Sequence, residues 1–578
     1  MNRKEIWPIV VIPIVLLLWS RLGAPALVSA SYQSYTQYEG VYRAGGTPGA
    51  SGEPIVEQVV IFVVDGLRVD ESRELLALNR LRALGAQRVL QVGQPSLSFP
   101  GWIAISSGAW PEQSGVSSND IERAVELDTI FSAARRRGLY TAIVGSSGWR
   151  TLFYPEYVEL NLLSEPPEYN SLADILAFDE RLAGAAQKVI LREPQLVLIH
   201  LPGVDTAGHG FGGVSSEYAQ AAVAADRLIA GLITLIDLNR AAVFVTADHG
   251  HIDGGGHGGH EDVVRRVPLV AAGKGIRPGV YADGMQVDIA PTVAVLLGME
   301  IPAHNQGDAL LDQIDVPAAF SARRGLDVAE QLSGRHGALL LAIDSPTEIG
   351  RVMLERAQDA LAGGDYGEAE KFTRASVYQA RAEWRAQRGA RLMRERVSRV
   401  PTVALLLLPF GLYGLCWRRA AWGLRIPMLG ALLFFGSWHA VFRAQGFSFS
   451  ASLFNPDPML FARPRVVDAM LALIVVMSVV GALSRRSGNA DVALTAAHTL
   501  FLIGAGMVVQ IAAFYLAWDV VYDWYLPDLN AGVKYYLDVA VSTVFWPLPM
   551  LPLAALLPLL ALMVARFSAV VERRMLRG

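Results

Sequence analysis

Between Val59 and about Met299, short apolar runs alternate with amphipathic stretches. The runs are VVIFVVDG (59–66), RVLQVGQP (88–95), YTAIVGS (140–146), LVLIHLP (196–202), AVFVTADHG (242–250) and VPLVAAG (267–273). Most are apolar at nearly every position rather than at every second one, the pattern of strands covered on both faces. Between them DIERAVELDTIFSAARRRG, SLADILAFDERLAGAAQKVIL and SEYAQAAVAADRLIAGLITLIDL read as helices. The fold class is therefore α/β, a mostly parallel sheet flanked by helices. Functional groups in such sheets collect beyond the carboxyl ends of the strands. Asp65 and Asp248 fall there directly, and Asp205 follows just after LVLIHLP.

The pattern changes twice more along the chain. Residues 321–400 are charged and alanine-rich, and read as a helical spacer containing a helix hairpin. After Pro401 five apolar segments follow, at roughly 401–417, 426–442, 466–484, 491–518 and 538–566. Each is about long enough to span a ~30 Å hydrocarbon core, so 401–578 reads as a five-helix transmembrane bundle. At the other end, a basic start and the apolar stretch Ile6 to Trp19 mark residues 1–30 as a cleaved signal or an uncleaved anchor. A Gly/Pro-rich linker is expected at 31–54, leaving 55–320 as the α/β domain. Arg418, Arg419, Arg425, Arg485, Arg486, Arg573, Arg574 and Arg577 fall on one side if the spans alternate, the side of Arg3 and Lys4. By the positive-inside rule that side is the cytoplasm: a multi-pass membrane protein with its C-terminus cytoplasmic and residues 20–400 outside.

Composition narrows the chemistry. The 578 residues are too many for one core, and 52 % are hydrophobic against 18 % charged. A formal net charge of −4 argues against a chain that coats nucleic acid. The only cysteine, Cys416, lies in an apolar segment, so a metal would have to be held by oxygen and imidazole.

Four short segments offer such ligands. An Asp after a strand, such as Asp65, is by itself more often a turn or cap. Ser98, between apolar neighbours and followed by Pro100 and Gly101, would open a helix, where N–H groups and the dipole stabilise an anion; the plainer reading is an N-cap. Asp205 and His209 are four apart, close enough to share an ion. Asp248 and His249 at a strand end, followed by a glycine-rich loop with His257 and His260, are hard to explain by packing. Five of the ten histidines lie from His209 to His260. Asp, His and a hydroxyl suit zinc or manganese without thiolate.

With those residues in view, the chain resembles the alkaline phosphatase superfamily, nearest to its nucleotide pyrophosphatase/phosphodiesterase branch. It is also similar to the ethanolamine-phosphate transferases. PSLSFPGW resembles the nucleophile motif, WPEQSGV the turn after it, VDTAGHG the D-x-x-G-H element, DHG with GGHGG the metal loop, and QVDIAPTVAVLLGMEIP the closing helix. The resemblance implies an alkaline-phosphatase-like fold and two divalent metal ions, zinc first and manganese as the alternative. One ion would be held by Asp65, Ser98, Asp248 and His249. The other would be held by Asp205, His209 and His257, with His260 as the rival for the last place. Ser98 would be the catalytic nucleophile. Two positions depart from the branch: Gly101 where Asn is usual after Phe-Pro, and Ser114 where His is common.

The first expectation is therefore a membrane-anchored phosphodiesterase or nucleotide pyrophosphatase working through a phosphoryl-serine. The alternative is a phosphoethanolamine-type headgroup transferase using the same site. The partners would be a phosphoester, from a nucleotide or a lipid headgroup, and the lipid bilayer. A sulfatase is disfavoured because no Cys/Ser-x-Pro-x-Arg motif stands at the nucleophile. A transporter or scaffold with an inactive outer domain ranks last, since the ligand set is complete.

Overall fold

The computed structural model describes residues 46–417, apart from 122, 124, 153–157, 167–170 and 346–350, and residues 424–518, apart from 455–457 and 485–488. A few positions near 33–41 and 524–537 are described as well. The N-terminal segment expected at 1–30 and the last expected span at 538–566 lie outside the described residues.

Nine strands form one sheet: β1 (Gln58–Val64), β2 (Ala86–Gln91), β3 (Thr141–Ser146), β4 (Leu160–Ser164), β5 (Leu196–Leu201), β6 (Ala241–Thr246), β7 (Arg266–Gly273), β8 (Gly279–Val280) and β9 (Gly284–Met285). The order is β4-β3-β5-β1-β6-β7-β2-β8, with β9 also paired to β2. The half from β4 to β6 is parallel, whereas β7 runs antiparallel to both β6 and β2. The sheet is thus mostly parallel, as the continuous apolar runs predict. The central strands β1, β5 and β6 are buried along almost their whole length, beneath helices that include Leu172–Ile190 and Ser216–Ile233.

Two sequence expectations need adjustment. DIERAVELDTIFSAARRRG becomes helical only from Ile130 to Arg136. Thr129 ends the extended approach there by a capping box: its Oγ1 accepts from Ser132 N–H at 3.3 Å, and Thr129 N–H donates to Ser132 Oγ at 2.7 Å. Strand β4, NLLS with a leucine before it, carries too weak an apolar pattern to be read from sequence; it is an edge strand, half-exposed.

The expected linker is also more tightly held than its composition implies. Gly49 N–H donates to Ile301 O at 2.9 Å, Gly52 N–H to Gly298 O at 3.1 Å, and Ile55 N–H to Leu296 O at 2.8 Å. Buried Arg324 adds a bond to Ala50 O at 3.0 Å. Small residues let this segment lie flat on the domain.

Beyond the sheet, helices Ala318–Ala342 and Arg351–Ala362 pack on a helix that runs from Tyr366 to Trp417. That helix continues unbroken through Pro401, where the chain turns apolar. Among the described residues, three helices are long and apolar enough to cross a membrane: Arg425–Ala444, Phe461–Ser484 and His498–Ala517. They pack together through Phe434, Trp438, Ala469, Val476, Ile503 and Met507, while Leu432, Leu471 and Val475 face outward.

Candidate active site

Three parallel strands deliver the first carboxylates. β1 ends at Val64, and Asp65 N–H donates to Leu201 O of β5 at 3.0 Å. Gly66 follows with φ 72°, and a Cβ there would come within 2.9 Å of the Asp205 Cα and of the His251 ring. The turn therefore needs a residue that is free to adopt positive φ and carries no side chain. It brings Gly66 N–H to Asp248 Oδ1 at 3.1 Å, tying the β1 turn to the β6 turn.

Ser98 opens the helix Ser98–Ser107 after an extended Leu97. Its Oγ lies 3.2 Å from His249 Nε2. One turn on, Trp102 Nε1 donates to Asp248 Oδ2 at 2.8 Å. His249 Nε2 also stands 3.3 Å from Asp65 Oδ1. Asp65 Oδ1 is buried and, among the described residues, has no hydrogen-bond partner. Asp65, Asp248, His249 and Ser98 thus face one point.

The second group adjoins the first. On the helix Gly203–Phe211, Asp205 Oδ1 lies 3.5 Å from His209 Nε2, the four-residue spacing expected of neighbours on one helix face. It also lies 3.4 Å from His257 Nε2 and 2.8 Å from His251 Nε2. His209 Nε2 and His257 Nε2 are 3.0 Å apart. The His249 and His257 rings stack at 3.6 Å, which joins the two groups.

All seven residues expected from sequence therefore converge: Asp65, Ser98, Asp205, His209, Asp248, His249 and His257. His260 is exposed and stands outside the cluster. Among the described residues, three sets have donor atoms within 4.8 Å of one another and could hold a metal ion: Asp65/Asp248/His249, Asp205/His249/His257 and Asp205/His209/His251.

The electrostatics fit cations. Burial, then the charges of Asp248 and Asp205, push the Asp65 carboxyl well above its usual range. Burial works in the same direction on Asp205, but His209, His257 and His251 outweigh it and hold that carboxyl well below. Burial pushes the His257 and His209 imidazoles down, toward the neutral form that binds metal. The ionised form of Asp65 is thus disfavoured by burial and by its carboxylate neighbours, and a divalent cation is the kind of group that would offset that cost.

Four further residues belong to this arrangement. His200 Nε2 donates to Asp65 Oδ2 at 2.8 Å; burial holds the imidazole down to about 3, so it is neutral. Its Nδ1 faces Ser146 Oγ at 3.3 Å. His200 could have been singled out as the one polar residue inside LVLIHLP, since β5 sets it opposite Val63. His251 takes Gly256 N–H on Nδ1 at 3.0 Å, which leaves Nε2–H for Asp205. Trp102 could have been found by its spacing of four from Ser98. Asn119 could not: it reaches the site through a loop, where its Oδ1 accepts from Phe99 N–H at 3.0 Å. Gly101, the departure noted above, is set by packing, because a Cβ there would lie 2.9 Å from Asp248 Cβ.

Residues 59–269 match the family model of type I phosphodiesterases / nucleotide pyrophosphatases. GPI ethanolamine phosphate transferase 1 of Emericella nidulans is 30 % identical over 339 residues, 47 % of this chain and 36 % of that protein. Its counterpart in Aspergillus oryzae is 28 % identical over 377 residues, 54 % of this chain and 35 % of that protein. The chain thus spans about a third of the length of these curated relatives. Among solved structures, wild-type alkaline phosphatase PafA matches with a TM-score of 0.39 at 13 % identity, over 46 % of this chain and 100 % of that one.

Proposed function

We propose that this chain is a metal-dependent phosphotransferase that moves a phosphoethanolamine-type headgroup from a lipid donor to a hydroxyl acceptor by way of Ser98. The observation that carries the reading is the approach of Ser98 Oγ to His249 Nε2, 3.2 Å apart, beside the buried carboxylates Asp65 and Asp248. The similar ethanolamine phosphate transferases favour transfer, which reverses the preference for hydrolysis drawn from PSLSFP. Hydrolysis at the same site is the second reading, supported by the domain match.

Asp65, Ser98, Asp248 and His249 would hold one divalent ion, zinc or manganese, and Asp205, His209 and His257 would hold the other. Bound there, such ions lower the pKa of the serine hydroxyl and neutralise phosphoryl charge. Ser98 Oγ attacks phosphorus, the bond from phosphorus to the donor alcohol breaks, and the serine proton leaves with that alcohol. The acceptor hydroxyl then attacks the phosphoryl-serine, and its proton restores Ser98. The positive end of the helix Ser98–Ser107 would favour the phosphoryl charge, and Asn119 Oδ1, accepting from Phe99 N–H, braces its first turn. His200, His251 and Trp102 hold Asp65, Asp205 and Asp248 in orientation.

We further propose the division at residues 30, 54, 320 and 400, with a multi-pass bundle from 401, the catalytic domain outside the cytoplasm and the C-terminus within it. The three described apolar helices and the arginine clusters support this arrangement.

The test is peptide mass spectrometry of the purified, metal-loaded chain after mixing with phosphatidylethanolamine vesicles. Ser98 should gain one ethanolamine-phosphate, and the adduct should vanish with chelator. Metal-dependent turnover of a nitrophenyl phosphodiester without any adduct from lipid, and with water as sole acceptor, would return the reading to hydrolysis.

A further inference from the structure

The loop that carries His257 is held by a turn between two apolar helices of the bundle. Gly259 N–H donates to Ser452 Oγ at 3.0 Å, and Ser452 Oγ donates to Glu261 Oε2 at 2.8 Å. Ser450 and Ser452 are fully buried, and Ser450 Oγ caps the short turn Ala451–Leu453 by accepting from Ser452 N–H at 3.2 Å. The fit leaves no spare room. A Cβ on Gly259 would collide with the hydroxyls of Ser450 and Ser452 and with the Glu261 carboxylate. One on Gly258 would lie 3.0 Å from Leu97 and 3.8 Å from Ala451.

The contact is continuous in both directions. Toward the site, Ser96 Oγ donates to Gly259 O at 2.9 Å, and the His257 Nδ1 stands 3.0 Å from Ser96 O, two residues before the nucleophile. Toward the bundle, Ala451 packs with Phe442 and Ala462, which belong to the helices Arg425–Ala444 and Pro458–Ser484. A single turn between two apolar helices therefore supports the backbone of the loop that presents His257.

We infer that Ser452 is a positioning residue of the metal centre: through Gly259 it fixes the 256–261 loop, and so the orientation of His257, making the bundle part of the catalytic framework and not only a tether. This rests on the two-metal reading above. Hydrogen bonds one step removed from a metal ligand set its orientation, and losing one lowers affinity about 10- to 100-fold.

The experiment uses the full chain in detergent. Zinc is titrated against a chromogenic chelator, and hydrogen exchange of residues 256–261 is measured on the metal-free protein. Ser452→Ala should weaken the second zinc about 10-fold, leave the first unchanged, and speed exchange in that loop. Trp524→Phe is the control: Trp524 Nε1 donates to Glu395 Oε1 at 3.1 Å, a contact away from the loop, so zinc affinity should stay at the wild-type value. Wild-type affinity for both ions in Ser452→Ala, with unchanged exchange, overturns the inference. If Ser452→Ala fails to fold, an unprotected Gly259 amide in the wild type overturns it as well. A wild type that binds no zinc sinks the metal reading beneath it instead.

Discussion

Ser98 is the residue on which the proposed chemistry turns, and its replacement separates binding from reaction. Ser98→Ala should lower turnover of a phosphodiester by roughly 10³-fold or more, with lipid binding retained, as steady-state rates and vesicle co-sedimentation would show. His200 makes a subtler test. It donates to Asp65 Oδ2 from full burial, so His200→Phe removes the donor and should weaken one metal about 10-fold or more in a chelator competition. Asp179 offers a pH test away from the ligands. Its carboxylate accepts Gly203 N–H at 3.2 Å, two residues before Asp205, and burial pushes the carboxyl up to about 7. A folded-state pKa above the unfolded one means that the folded chain binds the proton more tightly. That contribution is complete below the unfolded value of about 3.8 and is lost as pH rises through about 7. Metal-free protein should therefore melt at lower temperature at pH 8 than at pH 5.5, and Asp179→Asn should flatten the difference. At this scale residue type and spacing picked out the seven side chains that the fold brings together. Asn119 stayed hidden because a loop places it, and no spacing encodes a loop's path.

At the level of elements, the strands buried on both faces were legible because continuous β-branched runs have few other uses. Edge strand β4 was not, since a half-exposed strand needs no such run. The helix start at Ile130 was obscured by the charged residues before it, and only the Thr129/Ser132 cap marks it. The first turn of the helix Ser98–Ser107 rests on close packing: Gly101 lies against Asp248 with no space for a methyl group. Gly101→Ala should cost roughly 1–3 kcal/mol by overpacking, seen as a lower melting temperature, and should also disturb the Asp248 ligand. Zinc affinity and melting temperature should fall together. A variant with unchanged melting and metal binding would mean that Asp248 sits elsewhere.

For the whole molecule, apolar runs made the three described membrane-length helices readable, whereas the docking of the turn at Ser452 on the His257 loop was not, because long-range docking leaves no periodic trace. Topology is open to direct labelling. With Cys416→Ser as background, a cysteine replacing exposed Val280 should react with a membrane-impermeant maleimide on intact cells, and one replacing Arg486 only after permeabilisation. The reverse pattern would place the catalytic domain in the cytoplasm. The most direct measurement is anomalous scattering at the zinc edge from crystals of the zinc-loaded chain. The account predicts two peaks, one in coordination reach of Asp65, Ser98, Asp248 and His249, the other between Asp205, His209 and His257. No peak at these side chains, or zinc confined to His209 and His251 with Ser98 uncoordinated, would contradict it.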